Sequence, residues 1–407
     1  MALGHRRKGF VLTAFLGALS ALPPISIDTG LPGLPAIEAE FANGAGRGAL
    51  TLSLFLLGFA IAPLFGGPVA DRFGRRGTLL AGLALYAAAA LACALSTSFE
   101  MLLGFRALQG IAAGICVILP LAIVRDLYDH ATARGKLSTI FAVFSIAPMV
   151  VPMLGAAIMA FSGWRMIYVA EASIGVLLAI GTLGFRESLP AKQRRSLHPS
   201  QLLAGYRSVL TDRSFVGYTL VFAFAFSCMF SFISGASAVL MGALQLSRSE
   251  FAVIYGVTSG SVMVGSLLSG ALSKRQVPSR RLVGLGLGLM GASALAILAL
   301  EPLGLARAAM LMPLVALVMV SFGLIGPNAN HEAMRNMAEV AGAASGAIRC
   351  LQMLISACAS AMVALLQPLG HPVLTTASLM VAMALLAGAT FIWLQSGATA
   401  GLQRDGD

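Results

Sequence analysis

Long apolar runs, each separated from the next by a short polar stretch, cover almost the whole of this 407-residue chain. A helix crosses a bilayer with about 20 apolar residues. Twelve such runs can be placed, at 9–28, 49–69, 77–97, 100–124, 137–160, 164–185, 214–242, 250–273, 282–300, 307–330, 343–366 and 371–394. The first follows Arg6-Arg7-Lys8 and mimics a signal peptide. It runs past signal-peptide length without a small-residue cleavage site, so it is expected to be an uncleaved first span.

The polar positions predict the orientation. Of the 27 Lys and Arg residues, 21 lie in the N-terminal segment, the loops after even-numbered spans and the C-terminal segment. The opposite loops hold Arg47, Arg165, Arg248 and Arg307, while Arg106 and Arg349 lie inside spans. By the positive-inside rule both termini are expected to be cytoplasmic. With 58% hydrophobic and 11% charged residues and a mean hydropathy of +0.89, the chain is not a water-soluble globule, which carries about 25% charged residues. The net charge of +11 would suit nucleic acid, but its confinement to loops between spans excludes that partner. All five cysteines lie in apolar runs, so neither disulfides nor zinc sites are expected. The histidines lie outside the spans, which leaves a metal centre in the membrane without support.

The longest loop, Arg186 to Arg213, divides the chain near its midpoint. It predicts an N-terminal six-helix bundle (1–186), a cytoplasmic linker (187–213) and a C-terminal six-helix bundle (214–407). A weak internal echo supports duplication. Gly270-Ala271-Leu272-Ser273-Lys274-Arg275, with Arg280-Arg281 beyond it, follows span eight much as Gly66–Arg76 follows span two. Parallel repeats of two six-span halves are a transporter architecture, with substrate held between the halves near mid-membrane.

Several short motifs resemble one family. The stretch Gly66-Gly67-Pro68-Val69-Ala70-Asp71-Arg72-Phe73-Gly74-Arg75-Arg76 is similar to the G-x-x-x-D-R-x-G-R-R loop motif of the major facilitator superfamily (MFS). Arg106-Ala107-Leu108-Gln109-Gly110 resembles its fourth-span motif, and Ala147 to Gly155 the fifth-span motif of its drug:proton antiporters. Ile27 to Pro35 and Val124-Arg125-Asp126-Leu127-Tyr128 resemble hallmarks of the Bcr/CflA group of bacterial drug exporters. Val151-Pro152 and Gly155-Ala156 stand where the fifth-span motif usually has Gly-Pro and Gly-Gly, and Glu171 stands in span six where an apolar residue is expected. The resemblance implies an all-α integral membrane protein of 12 transmembrane helices in two pseudo-symmetric six-helix bundles.

Candidate chemistry falls into three groups. A gating set comprises Gly67, Asp71, Arg72, Gly74, Arg75, Arg76, Arg125, Asp126, Pro148, Pro152 and Gly155. Glycines permit a tight turn and close approach of spans two and three, and Asp71 can face the positive end of a helix, here span eleven. The resemblance implies a latch that closes the cytoplasmic face, although basic residues alone would also orient the chain. Pro148 and Pro152 each remove a backbone hydrogen bond and bend span five.

The proton-coupling set is Asp28, Arg106 and Glu171. At a rise of about 1.5 Å per residue, Asp28 closes span one ~28 Å from its cytoplasmic end, while Arg106 and Glu171 lie ~9 and ~10 Å in from the opposite side. Asp28 and Arg106 are therefore expected at a common depth facing one cavity, and intramembrane charges usually mark a function. The alternative is that Asp28 caps a turn and Arg106 snorkels to the headgroups. Arg349, ~9 Å from the cytoplasmic end of span eleven, could snorkel likewise.

The substrate-binding set is Asp28, Arg106, Gln109, Phe226, Met229, Phe230, Asn328 and Gln352. Aromatic and Met side chains make adaptable apolar surfaces, though their close spacing in span seven points them around the whole helix. The expected function is a proton-coupled multidrug efflux antiporter that exports small apolar or amphipathic compounds, such as phenicol- or bicyclomycin-type antibiotics, by alternating access. The alternatives are a symporter importing a small nutrient and an exporter of a metabolite such as a sugar or amino acid. No catalytic constellation and no GxxxxGK[ST] motif is present, so neither an enzyme nor an ATP-driven pump is expected. The expected energy source is the proton gradient, with no cofactor. Small-molecule drugs, protons and membrane lipids are the expected partners of a monomer in the bacterial inner membrane.

Overall fold

The structure, a computed structural model, describes residues 2–404 apart from 42, 43, 45, 185, 191–198, 338 and 339. The chain forms α1 (Ala2–Ser20), α2 (Leu22–Asp28), α3 (Leu34–Glu40), α4 (Leu50–Phe73), α5 (Arg75–Ala94), α6 (Phe99–Leu127), α7 (His130–Phe161), α8 (Arg165–Leu183), α9 (Pro199–Thr211), α10 (Arg213–Ser237), α11 (Arg248–Lys274), α12 (Ser279–Leu300), α13 (Ala308–Met334), α14 (Ala341–Leu366) and α15 (Pro372–Arg404). Among the described residues, eleven helices are long and apolar enough to span a membrane, and a bent pair makes a twelfth.

That pair carries the first correction. Span one does not close at Asp28. It breaks by 44° between Val11–Ser20 and Leu22–Glu40, because Pro23 and Pro24 in the first turn of α2 cannot continue the hydrogen-bond ladder of α1. After Asp28 the chain stays helical through a 3₁₀ turn, Leu31–Gly33, into α3, and buries Leu31, Leu34 and Ile37. Glu40, at the end of α3, accepts hydrogen bonds from Trp164 Nε1 and Arg165 Nη1, both at 2.7 Å, and so ties the bent span to the start of α8.

A second correction concerns Gly66–Arg76. It is not a loop: α4 continues to Phe73 through Pro68, and α5 begins at Arg75. The reversal takes place at one residue, Gly74, whose φ of 94° and ψ of 154° disfavour any side chain. Polar caps start α6, α7 and α10. Ser98 Oγ accepts from Met101 N, Asp129 Oδ1 from Thr132 N and Asp212 Oδ1 from Phe215 N, each relieving a donor that the helix start leaves unpaired.

The chain forms two compact units, Met1–His198 with Arg248–Gly256, and Pro199–Ser247 with Val257–Asp407. Each contains the same kind of close helix crossing. In the first, Gly58 of α4 lies on the carbonyl of Ala107 and Gly110 of α6 on that of Phe55. In the second, Gly265 of α11 lies on the carbonyl of Val320 and Gly323 of α13 on that of Val262. Small residues at such points let backbones touch where lipid supplies no hydrophobic drive for association. These pairs join spans two and four and spans eight and ten, so the duplication hinted at by the sequence is repeated in the packing.

Candidate functional site

The interior of the first unit holds a polar cluster built on α6. Arg106 and Gln109 stand one helical turn apart and therefore share a face. Arg106 Nη1 donates to Gln109 Oε1 at 2.7 Å, and Gln109 Nε2 donates to Glu171 Oε2 of α8 at 2.7 Å. The guanidinium also donates from Nη2 to Ser26 O at 2.9 Å and from Nε to Thr51 O at 3.3 Å. Its carbon lies 4.6 Å from the centre of the Phe55 ring. Glu171 Oε2 stands 3.9 Å from Arg106 Nη1, so Gln109 bridges a charge pair whose direct contact is long. Arg106 and Glu171 are each 1% exposed. Ions so deeply placed lose several kcal/mol of hydration apiece. The hydrogen bonds around the guanidinium offset that loss, whereas Glu171 Oε1 is buried with no hydrogen-bond partner.

Asp28, 4% exposed, is not the ion-pair partner of Arg106. Its Oδ1 accepts a hydrogen bond from Tyr255 Oη at 3.0 Å, and Tyr255 stacks on Phe251 within the short stretch of α11 that belongs to the first unit. Arg106 reaches the same segment only through the backbone of Ser26, whose hydroxyl lies 2.6 Å from Tyr86 Oη. Asp28 and Arg106, expected to face one cavity, each bond to a different partner at neighbouring positions of α2: Asp28 through its side chain to Tyr255, and Arg106 to the carbonyl of Ser26. Gly155 of α7 abuts the carbonyl of Thr29, leaving no room for a Cβ. The bend-forming Pro148 and Pro152 lie in the same helix, directly before this contact.

The other end of the unit gathers most of the gating set. Arg75 pairs with Asp71 at 2.6 Å and through Nε with Asp126 Oδ2 at 3.1 Å. Arg76 caps α8 by donating to the carbonyls of Thr182 and Leu183. Glu187 accepts from the backbone N–H groups of Arg75 and Arg76 at 2.9 and 3.2 Å, placing a carboxylate on the positive end of α5. Ser188 adds a hydrogen bond to Asp126. Gly67 has open space where a Cβ would stand, Arg72 lies against Phe73, and Arg125 is exposed.

Five candidates, Phe226, Met229, Phe230, Asn328 and Gln352, lie in the second unit. Phe226 and Phe230 stack with ring centres 5.7 Å apart, and Phe322 meets Phe226 at 5.4 Å and Phe222 at 5.9 Å. Met229 is buried on the same helix. Asn328 Nδ2 donates to Ser269 Oγ at 2.7 Å. Gln352 accepts from Arg349 Nη1 at 3.0 Å. Sequence reasoning missed Tyr255, Tyr86 and Glu187. The two tyrosines carried a signal, since a hydroxyl inside an apolar run needs a partner when buried. Glu187 carried none, being one more charge in a polar loop.

The paired glycine crossings, the twelve spans and the charged reversal at Gly74 define a duplicated helical membrane protein. A profile of the Major Facilitator Superfamily matches residues 9–360, and the chain belongs to that family of transporters. It is 33% identical over 267 residues to the uncharacterised MFS-type transporter YdgK of Bacillus subtilis (strain 168), covering 65% of this chain and 66% of the relative. It is 31% identical over 261 residues to the multidrug resistance protein MdtL of Salmonella typhi, covering 64% and 65%. The chain thus spans just under two thirds of the length of these relatives. Its fold is similar to that of a bacterial homologue of the lysosomal transporter Spinster (TM-score 0.70, 18% identity, 96% of this chain and 97% of the other). It is also similar to that of a POT family transporter solved with 5-aminolevulinic acid (TM-score 0.72, 13% identity, 94% and 95%).

Proposed function

We propose that the chain is a proton-coupled exporter of small apolar or amphipathic compounds, in which a proton and the exported compound compete at Asp28. The observation that carries this reading is the partnering of Asp28. Arg106 is occupied by Gln109, Ser26, Thr51 and Glu171, so the buried Asp28 carboxylate faces a neutral phenol rather than a cation. Binding a proton there removes an uncompensated buried charge, and releasing it restores a group that a ligand can engage. Glu171, with one unsatisfied oxygen, is the second proton-accepting group. The name of MdtL supports drug export as the direction of transport.

In the orientation read from the charges, Asp28 lies toward the periplasm, and the Asp71–Arg75–Asp126 cluster lies at the cytoplasmic face as part of its latch. The protein works as a monomer in the bacterial inner membrane, without a cofactor. The reading is tested with Asp28→Asn in vesicles that hold an imposed proton gradient. The variant is expected to bind chloramphenicol and to lose gradient-driven chloramphenicol movement. Full gradient-driven movement by the variant sinks the reading, and gradient-driven movement in the opposite direction by the unaltered protein favours a symporter.

A further inference from the structure

The two arginines inside the spans share a local sequence, Arg106-Ala107-Leu108-Gln109 and Arg349-Cys350-Leu351-Gln352. In both, the arginine Nη1 donates to the glutamine Oε1 one turn on, at 2.7 and 3.0 Å. The likeness ends there. Arg106 is enclosed and has Glu171 as counter-charge. Arg349 is exposed, and among the described residues it has no carboxylate within ion-pair distance and no hydrogen-bond acceptor besides Gln352.

Its position on α14 excludes the apolar face. Gln352, Ser356 and Ser360 follow Arg349 along one side of the helix, at steps of three and four residues. All three are buried, and Ser356 and Ser360 pair with Ser227 and Ser234 of α10 at 2.8 Å. The exposed apolar residues Leu354, Met362 and Leu365 lie on the opposite side. The guanidinium therefore continues a polar seam between two helices. Ser356, about 10 Å further along at 1.5 Å per residue, is bonded to Ser227 of α10.

We infer that Arg349 recognises the anionic group of an exported small molecule, a carboxylate. An intramembrane charge without a protein counter-charge is costly and marks a function. The planar guanidinium fork matches a carboxylate in a way that a lysine ammonium does not. The inference rests on the exporter reading above and adds the charge of the substrate to it. A phospholipid phosphate offers the same chemistry, so the experiment separates the two sources.

The test uses the full chain in phosphatidylcholine vesicles, with and without phosphatidylglycerol, and measures binding of salicylate, benzoate and cinnamate against their uncharged amides. The unaltered protein is expected to bind at least one acid about tenfold more tightly than its amide, the worth of a charge-assisted hydrogen bond. Arg349→Gln is expected to abolish that preference while leaving amide binding unchanged. Arg349→Lys, which keeps the charge and is the second variant should the first not fold, is expected to show an intermediate preference. The inference is overturned if no acid outbinds its amide, if the preference survives Arg349→Gln, or if the substitution alters only the response to phosphatidylglycerol. Chloramphenicol movement driven by a proton gradient in the same vesicles reports on the exporter reading alone.

Discussion

Arg106 and Arg349 make the same hydrogen bond to a glutamine one turn away, yet one is a sealed structural charge and the other an open one. The first unit surrounds its arginine with two backbone carbonyls, a glutamine, a carboxylate and an aromatic face. The second gives its arginine, among the described residues, the side-chain carbonyl of Gln352. The same R-x-L-Q pattern thus lies in the core in one place and at an exposed position in the other, and among the described residues only the first of the two arginines has a carboxylate within ion-pair distance. The lesson is that an intramembrane arginine cannot be assigned a role until its carboxylate is located.

The contrast predicts unequal costs. Arg106→Gln leaves Glu171 buried without a cation and is expected to destabilise the protein by about 3–5 kcal/mol, read as lost thermal stability in detergent. A thermal transition matching that of the unaltered protein would show that Glu171 needs no cation. Gly110→Val sets a side chain on the Phe55 carbonyl and is expected to cost about 1–3 kcal/mol by overpacking. Gly67→Val meets nothing within 4 Å and is expected to stay within about 0.5 kcal/mol of the parent. Equal behaviour of these two variants would dissolve the distinction between glycines at a backbone contact and glycines facing open space. Glu187→Ala removes the carboxylate from the first N–H groups of α5 and is expected to cost about 1 kcal/mol. That loss should be accompanied by faster proteolysis of the segment after α8. Arg349→Gln is expected to change stability least, by under about 0.5 kcal/mol. A large loss there would mean that a counter-charge lies outside the described residues.

Much of the fold was legible because a bilayer imposes its own grammar: length and hydropathy locate spans, although the run containing Pro23 and Pro24 and the run ending in the Gly66–Phe73 stretch both continue past their expected far ends. The candidate site was legible in part. Arg106, Gln109 and Glu171 were each visible as polar interruptions, and Asp28 as a lone carboxylate. Their pairing was not, since depth estimates along separate helices carry no information on which faces meet. Depth matched Asp28 with Arg106 and Glu171 alike, and the rotation of α8 about its axis selected Glu171. The Gly74 reversal shows the same boundary. Its motif was recognisable, but a stretch rich in glycine and charge reads as a loop until the backbone is traced and all but one residue proves helical.

From the chain alone came the class of molecule, the number of spans, the expected orientation and the short set of charges placed at a cost inside the membrane. These follow from local composition, because the transfer energy of a residue into lipid depends on its own chemistry. Tertiary structure decided which of those charges are neutralised, that Tyr255 rather than Arg106 holds Asp28, and that the four glycines of the α4–α6 and α11–α13 crossings occupy equivalent places in the two halves. Such outcomes depend on contacts between residues far apart in sequence, where an error of a single helical step turns a side chain about 100° away from its partner.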